Sequence, residues 1–181
     1  MAFCPTCGEE RPASGGPACQ KCGAYFRTGP DLLVLAGVVA EDRVLLIQRG
    51  LEPYRGSWSP PGGFVEANES VEAAAAREVL EETGVQVAPD KFVVTGVASL
   101  TNLNQVHITM FAILDAVSEA RAHPPETLDA KWCSEDELQT LDIWPPSRNL
   151  DRGRVFRAAR SGRLGFVHFT DGRRREFGGQ E

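Results

Sequence analysis

Three glutamates lie close together at the end of an alanine-rich segment of the chain. In the stretch GGFVEANESVEAAAAREVLEETGV, residues 62–85, they are Glu78, Glu81 and Glu82. Like charges one helical turn apart repel each other, and acids near a helix C-terminus face the negative end of the helix dipole. Because folding alone does not favour this arrangement, the spacing indicates a bound cation. Hard oxygen ligands favour Mg²⁺ or Mn²⁺, the kind of ion that phosphate chemistry uses.

The helix that must position these acids is predicted to begin after Ser70, its N-cap, and to stop at Gly84. At about 100° of rotation per residue, the three glutamates fall within an arc of roughly 100°. Apolar residues lie on two sides of this helix. One side is formed by Val71, Ala74 and Ala75, and the other by Ala73, Ala76 and Leu80. We therefore expect both flanks to be covered, which makes unneutralised carboxylates costly.

Arg77 and Glu69 form the second part of this pattern. Glu69 lies just before the helix, where an arginine–carboxylate pair would fix the loop GGFVEANE against the helix. The alternative is a solvent-exposed acidic helix with incidental pairs four residues apart, such as Arg77 with Glu81. The spacing alone leaves both interpretations open.

Four of the five cysteines form two pairs, each with two residues between its members. The pairs are Cys4/Cys7 and Cys19/Cys22. Four thiolates at this spacing can complete a tetrahedral zinc shell. Two disulfides or a redox pair are the alternatives, but disulfides need an oxidising compartment and a redox motif needs only one pair. The fifth cysteine, Cys133, is interpreted as a buried core thiol.

Composition limits the classes of function that remain. The 181 residues suffice for one ordinary domain and a small module, and a hydrophobic fraction of 42% is typical of a globular protein. A net charge of -6 argues against a protein that coats nucleic acid. The longest apolar run, residues 32–40, is too short to span a membrane, and the N-terminus shows no secretion signal. We expect a soluble cytoplasmic protein without a membrane partner.

Two segments with different sequence character follow one another along the chain. Residues 1–29 are rich in glycine, proline and cysteine and are predicted to form a zinc ribbon, in which the metal supplies folding energy. Residues 30–181 are predicted to form the main domain, ending in a helix and a hairpin that turns at Asp171–Gly172. LLVLAGVVA and RVLLIQR read as strands, as do KFVVTGVASL, VHITMFAILD and DAKWC. Ser134 and Glu137 predict a capping box. Such elements indicate a mixed α/β sandwich.

The segment from residue 63 to residue 85 resembles the Nudix box, the signature of the Nudix hydrolases. That signature is Gly-x5-Glu-x7-Arg-Glu-apolar-x-Glu-Glu-x-Gly-apolar, where x is any residue. All of its positions are matched, by Gly63, Glu69, Arg77, Glu78, Val79, Glu81, Glu82, Gly84 and Val85. The resemblance extends over about residues 32–141. It implies a Nudix-type α/β/α sandwich with a mixed sheet, here preceded by the zinc ribbon.

The resemblance also implies an activity and a set of site residues. Nudix enzymes hydrolyse nucleoside diphosphates that are linked to another moiety. By this resemblance Glu78 and Glu82 bind Mg²⁺ or Mn²⁺, with help from Glu81 and from the backbone carbonyl of Gly63. Arg77 orients the helix and the loop without touching the metal. The general base varies within the family, and Glu81 is the first candidate here, before Glu126 in HPPETLDAKW.

Substrate contacts are less specific in the sequence. Arg49 and Arg55 are candidates for binding phosphates, although either can equally be a surface charge. Tyr54 can stack on an adenine or flavin ring, but a loop aromatic is as often a packing residue. Trp58 is interpreted as core support for its loop. His107 alternates with apolar neighbours on a strand and is expected to face the cleft or solvent.

A four-cysteine ribbon fused to a Nudix domain resembles two groups of enzymes. NADH pyrophosphatases carry a motif rich in proline and aromatic residues after the box, where this chain has ASLTNLNQVHITMF. The resemblance to enzymes that act on ADP-ribose or FAD, giving AMP and a second monophosphate, is therefore favoured. NADH and oxidised nucleoside triphosphates remain alternatives, as does a nucleotide-sensing or nucleic-acid-binding regulator. Related enzymes are commonly homodimers.

Overall fold

The structure, a computed structural model, describes residues 2–4, 6–11, 18–25, 29–145, 153–161, 165–170 and 173–177. The chain divides into two compact units, Met1–Pro30 and Asp31–Glu181. In the smaller unit, β1 (Ala2–Phe3) pairs with β2 (Glu10–Arg11) in antiparallel orientation. A bridge between Ala18 and Tyr25 and an ion pair between Lys21 and Glu9 lie in the same unit.

The larger unit begins with a hairpin formed by the first two predicted strands. Strand β3 (Asp31–Ala40) pairs with the antiparallel β4 (Arg43–Arg49), and Ala40 lies opposite Arg43. The two turn residues, Glu41 and Asp42, both have positive φ angles, of 47° and 58°. Two such residues give the turn a twist that matches the twist of the flanking strands.

Nine strands in the described residues of the larger unit form one mixed sheet. The strands after β4 are β5 (Trp58–Ser59), β6 (Gly62–Phe64), β7 (Val93–Leu100), β8 (Gln105–Leu114), β9 (Thr127–Cys133), β10 (Phe166–Thr170) and β11 (Arg173–Phe177). Their order is β11-β10-β7-β8-β3-β4-β5, with β6 paired to β3 and β9 paired to β4. The pairs β3/β8 and β7/β10 are parallel, and the other pairs are antiparallel. The predicted mixed sheet is confirmed.

Three α-helices complete the described part of the larger unit, with two short 3-10 helices at Pro89–Lys91 and Thr101–Leu103. They are α1 (Val71–Thr83), α2 (Glu135–Thr140) and α3 (Arg154–Ser161). The caps follow the sequence: the Ser70 side chain accepts a hydrogen bond from the amide of Ala73, and Gly84 ends α1. Ser134 and Glu137 form the predicted capping box of α2. None of the helices in the described residues is long and apolar enough to cross a membrane.

Two apolar clusters cover the two faces of the sheet. Consecutive residues of β3, such as Val38 and Val39, belong to different clusters because side chains alternate along a strand. The first cluster contains Ala74, Ala75 and Val79 of α1. The second contains residues of α2 and α3, such as Leu138 and Phe156. The α/β/α layering expected for the domain is thus present.

Three details differ from the sequence analysis. Leu80, expected on a covered flank of α1, is 43% exposed. On that flank Ala76 packs against the first apolar cluster, and Leu80, one turn further along, lies beyond it. The segment GGFVEANE, expected as a loop, begins with strand β6, and Trp58 lies in the short strand β5. Strand β7 begins at Val93, since Lys91 belongs to a 3-10 helix. The predicted turn at Asp171–Gly172 lies outside the described residues.

Candidate active site

Helix α1 and strand β6 bring two of the predicted glutamates against a pair of glycines. The Glu82 carboxylate accepts a hydrogen bond of 2.8 Å from the backbone amide of Gly62. A Cβ atom on Gly63 would lie only 2.5 Å from the carboxyl carbon of Glu78. The missing side chain at Gly63 therefore leaves the space that the Glu78 carboxylate occupies beside the strand.

Arg77 holds the helix and the preceding loop together through five hydrogen bonds. Its Nε and one terminal nitrogen donate to the two oxygens of Glu69, at 2.9 and 3.0 Å. The same terminal nitrogen donates to the carbonyl of Phe64, at 3.0 Å. The other terminal nitrogen donates to Glu78 at 2.7 Å and to Glu81 at 3.1 Å. The structure thus contains the bidentate Arg77–Glu69 pair, together with the pair to Glu81 that was its alternative.

The buried carboxylates are electrostatically costly in the ionised form. Burial raises the pKa of Glu82 to about 8; the amide of Gly62 and the charge of Arg49 counteract this, while the charges of Glu78 and Glu126 add to it. Burial likewise raises the pKa of Glu78 against the stabilising effect of Arg77. A bound cation would relieve this cost, because it favours the ionised form of both groups.

A distant loop brings Glu126 close to the same carboxylates. The backbone amide of Arg121 donates to the carbonyl of Thr83 at 2.8 Å, and the Nδ1 atom of His123 contacts the carbonyl of Glu81. The carbonyl of Glu126 accepts a hydrogen bond of 2.7 Å from the amide of Gly50. These contacts join residues about 40 or more positions apart in the chain, so no local sequence pattern reveals them.

The predicted substrate residues do not all meet at this place. Arg49 is partly buried, and its guanidinium carbon lies 5.5 Å from the centre of the Trp144 ring. Tyr54 and Arg55 are both exposed on the loop after β4. In the described part of the chain, no hydrogen bond or ion pair joins either side chain to the glutamates. The structure therefore brings Arg49 to the site and leaves the other two at the surface.

His107 corrects one expectation. It is buried instead of facing the cleft or solvent, because its ring stacks on Trp144 with a distance of 6.1 Å between ring centres. Its Nε2 atom lies 3.0 Å from the side-chain oxygen of Gln105, and burial lowers its pKa. The interpretations of Trp58 and Cys133 are confirmed, since both are buried in the second apolar cluster.

The residues at the acidic site have the chemistry that Mg²⁺ or Mn²⁺ requires. Glu78 and Glu82 offer hard carboxylate oxygens beside the backbone of Gly63. Glu81 is different, since its side chain is 57% exposed and bonded to Arg77. Among the described residues, the oxygens of the glutamates do not converge as tightly as the sulfurs of the cysteine cluster do. The donor set fits a hard cation held by two carboxylates and completed by water.

The four cysteines of the smaller unit meet in one cluster. Their sulfur atoms all lie within 4.8 Å of one another, and the Cys4–Cys22 and Cys7–Cys19 distances are both 3.7 Å. A tetrahedron with zinc–sulfur bonds of about 2.3 Å has edges of about 3.8 Å, whereas a disulfide bond measures about 2.05 Å. The cluster fits zinc and contains no disulfide.

Comparison with known proteins identifies the family. The family model of the NUDIX domain matches residues 31–153. The chain therefore belongs to the Nudix family. A NUDIX hydrolase from Nitrosomonas europaea has a similar structure, with a TM-score of 0.72 and 27% sequence identity, covering 96% of this chain and 100% of that one.

Two kinds of curated relative are similar in sequence. The NAD-capped RNA hydrolase NudC of Pseudomonas aeruginosa is 36% identical over 169 residues, which are 88% of this chain and 57% of that protein. An ADP-ribose pyrophosphatase of Methanocaldococcus jannaschii is 48% identical over 50 residues, which are 27% of this chain and 30% of that protein. The chain thus spans 57% of the length of the NudC relative and 30% of the length of the ADP-ribose pyrophosphatase.

Proposed function

We propose that this protein hydrolyses the pyrophosphate bond of a nucleoside diphosphate linked to a second moiety, with ADP-ribose or FAD as the first candidates. The products would be AMP and a second monophosphate. The observation that carries this proposal is the pair Glu78 and Glu82, held partly buried against Gly63 and Gly62. Arg77 bonds to Glu78, but among the described residues no ion pair neutralises Glu82. Such a site needs a divalent cation, and a diphosphate is the ligand that such a cation binds.

Each residue has a distinct role in this proposal. Glu78, Glu82 and the carbonyl of Gly63 would hold Mg²⁺ or Mn²⁺. The cation, when bound, neutralises charge on the diphosphate and makes phosphorus easier to attack. Arg77 is a positioning residue, because its guanidinium group holds the carboxylates of Glu69 and Glu78 and the carbonyl of Phe64 in place. Arg49 supplies positive charge for a phosphate.

The general base must take a proton from the attacking water. Glu81 is one candidate, but its carboxylate is occupied by a hydrogen bond from Arg77. Glu126 is the other, and its charge acts on both Glu78 and Glu82 from the opposite loop. We favour Glu126, because in the described residues its carboxylate has no ion pair. Comparing the pH–rate profiles of Glu81→Gln and Glu126→Gln decides between them, since only loss of the base removes the limb in which activity rises with pH.

A second candidate substrate is NADH or the NAD-capped end of an RNA. The 36% identity to an NAD-capped RNA hydrolase over 88% of this chain favours it. The exposed Arg173 and Arg175 on β11, an outer strand of the sheet, would suit contact with RNA phosphates. Residues 1–29 contain few basic residues and give little support to a separate RNA-binding role. We therefore propose nucleic acid only as part of a substrate. The cysteine thiols suit a reducing compartment such as the cytoplasm.

A product-resolved assay tests these candidates together. ADP-ribose, FAD, NADH, a short NAD-capped RNA and oxidised nucleoside triphosphates are each incubated with the protein and Mg²⁺ or Mn²⁺. The proposal predicts AMP and a second monophosphate from a dinucleotide-type substrate, or an RNA with a 5′-monophosphate from the capped RNA. Inorganic pyrophosphate from a triphosphate would instead favour a hydrolase of oxidised nucleoside triphosphates. No product from any of them would favour a nucleotide-binding regulator.

A further inference from the structure

Two buried polar atoms have no hydrogen-bond partner among the described residues. They are Nε of Arg49 and Oγ1 of Thr127. The Thr127 side chain is fully buried. Native proteins rarely leave buried donors and acceptors unpaired, and such groups mark places where water or a ligand completes the structure.

The two atoms belong to residues that lie opposite each other on neighbouring strands. Arg49 of β4 pairs with Thr127 of β9, next to an irregularity in register between Gln48 and Arg49. Directly opposite residues in an antiparallel pair have Cβ atoms about 5 Å apart. The amide of Gly50 donates to the carbonyl of Glu126, and a Cβ on Gly50 would collide with the carbonyl of Pro125. This close approach of the two backbones fixes Arg49 beside Thr127.

The pair lies at the border of the candidate cation site. The charge of Arg49 acts on Glu82, and the charge of Glu126, the neighbour of Thr127, acts on both Glu78 and Glu82. The surface is close, since Glu126 is exposed and so is the segment from residue 51 to residue 55. The two unpaired groups therefore lie in the strand segments that border the candidate cation site.

The chemistry of the two groups selects the ligand. An Arg Nε–H is only a donor, and a threonine hydroxyl can rotate to donate as well. Two donors, one of them charged, suit an oxyanion. We propose that Nε of Arg49 and Oγ1 of Thr127 together bind one non-bridging oxygen of the substrate's diphosphate, beside the cation. This subsite rests on the proposed function and assigns a substrate-binding role to Thr127.

Thr83 provides a matched control. It is also fully buried, but its hydroxyl donates to the carbonyl of Val79 and accepts from the amide of Val85. Thr83→Val leaves a backbone amide without its partner, so we expect a lower melting temperature and unchanged ligand binding. Thr127→Val removes a hydroxyl that has no partner, so we expect an unchanged or higher melting temperature and weaker ligand binding.

The test measures binding of α,β-methylene-ADP, a non-hydrolysable diphosphate, by calorimetry with Mn²⁺, together with thermal unfolding. Loss of a hydrogen bond to a charged oxygen is expected to weaken binding of the probe to Thr127→Val about ten- to a hundredfold. Thr127→Ser restores the hydroxyl and should restore the affinity. Arg49→Lys keeps the charge but lacks the Nε–H, and it should also weaken binding at least tenfold.

The outcomes separate this inference from the proposed function. Binding to Thr127→Val within twofold of the wild type would overturn the subsite, as would a loss of melting temperature equal to that of Thr83→Val. If Thr127→Val does not fold, undiminished binding to Arg49→Lys overturns it instead. A different result is that Thr127→Val weakens probe binding as expected while the wild type releases no AMP from any substrate. That result would contradict the proposed function and leave the subsite standing.

Discussion

The arginine of the Nudix box allows a quantitative test of how the site is held together. Arg77 and Glu69 form a bidentate pair whose side chains are 23% and 15% exposed. Arg121 and Glu119 form a pair of the same geometry, with nitrogen–oxygen distances of 2.9 and 2.7 Å, but their side chains are 72% and 71% exposed. The two pairs therefore differ mainly in burial and in what else the arginine holds.

The size of the expected effect follows from this difference. Breaking a fully buried ion pair by removing one partner costs about 3–5 kcal/mol, and exposed pairs contribute much less. The partial exposure of Arg77 and Glu69 reduces the expected cost of Arg77→Gln to about 2 kcal/mol. For a domain of this size, such a loss lowers the melting temperature by about 4–8 °C. Arg121→Gln should leave the melting temperature unchanged within error.

Urea unfolding followed by tryptophan fluorescence measures these changes. All three tryptophans, Trp58, Trp132 and Trp144, lie in the unit Asp31–Glu181, so their fluorescence reports on that unit. A double-mutant cycle of Arg77→Gln with Glu69→Gln isolates the energy of the pair. If Arg77→Gln is no more destabilising than Arg121→Gln, the reasoning that this arginine holds the loop against α1 is wrong.

Three further predictions concern titration and metals. Burial raises the pKa of Glu82 from 4.5 to about 8, so the folded state holds a proton that the unfolded state has lost, and without divalent cations stability should fall as pH rises from 4.5 to 8. Glu82→Gln should reduce this fall in urea titrations, leaving only the smaller contribution of Glu78, whereas an equal fall in the variant would exclude Glu82 as a source. Burial lowers the pKa of His107 below 6.5, so the unfolded state takes up a proton at a higher pH than the folded state does. Stability should therefore fall as pH drops below 6.5. His107→Phe should reduce that loss of stability, and an unchanged pH profile in the variant would contradict the assignment to His107. The cysteine cluster should bind about one zinc per chain, and Cys4→Ser should lose it in elemental analysis; full retention of zinc would contradict the four-cysteine site.

Local signals in the sequence predicted those parts of the fold that depend on near neighbours. Ser70 and Gly84 bound α1, and Ser134 and Glu137 cap α2, because capping uses hydrogen bonds within a few residues. The Nudix box likewise placed Arg77 near Glu69, since both belong to one short segment.

The remaining features depend on residues that meet only in three dimensions. His107 is buried because Trp144, 37 residues further along the chain, covers its ring. Thr127 lies beside Arg49 through strand register, which no pattern in either segment reveals. Leu80 is exposed although it lies on an apolar side of α1. Periodicity predicts which side of a helix is apolar, but it does not predict how much of that side the rest of the protein covers.

The binding of Mn²⁺ to the acidic site is the most direct test of the whole account. Electron paramagnetic resonance measures free Mn²⁺ in titrations of the wild type, of Glu82→Gln and of Glu72→Gln, a control at the other end of α1. We expect the first and third proteins to bind Mn²⁺ alike, and Glu82→Gln to bind it at least tenfold more weakly and to lose hydrolysis. Equal Mn²⁺ binding and equal turnover in all three proteins would contradict the claim that these carboxylates hold the catalytic cation.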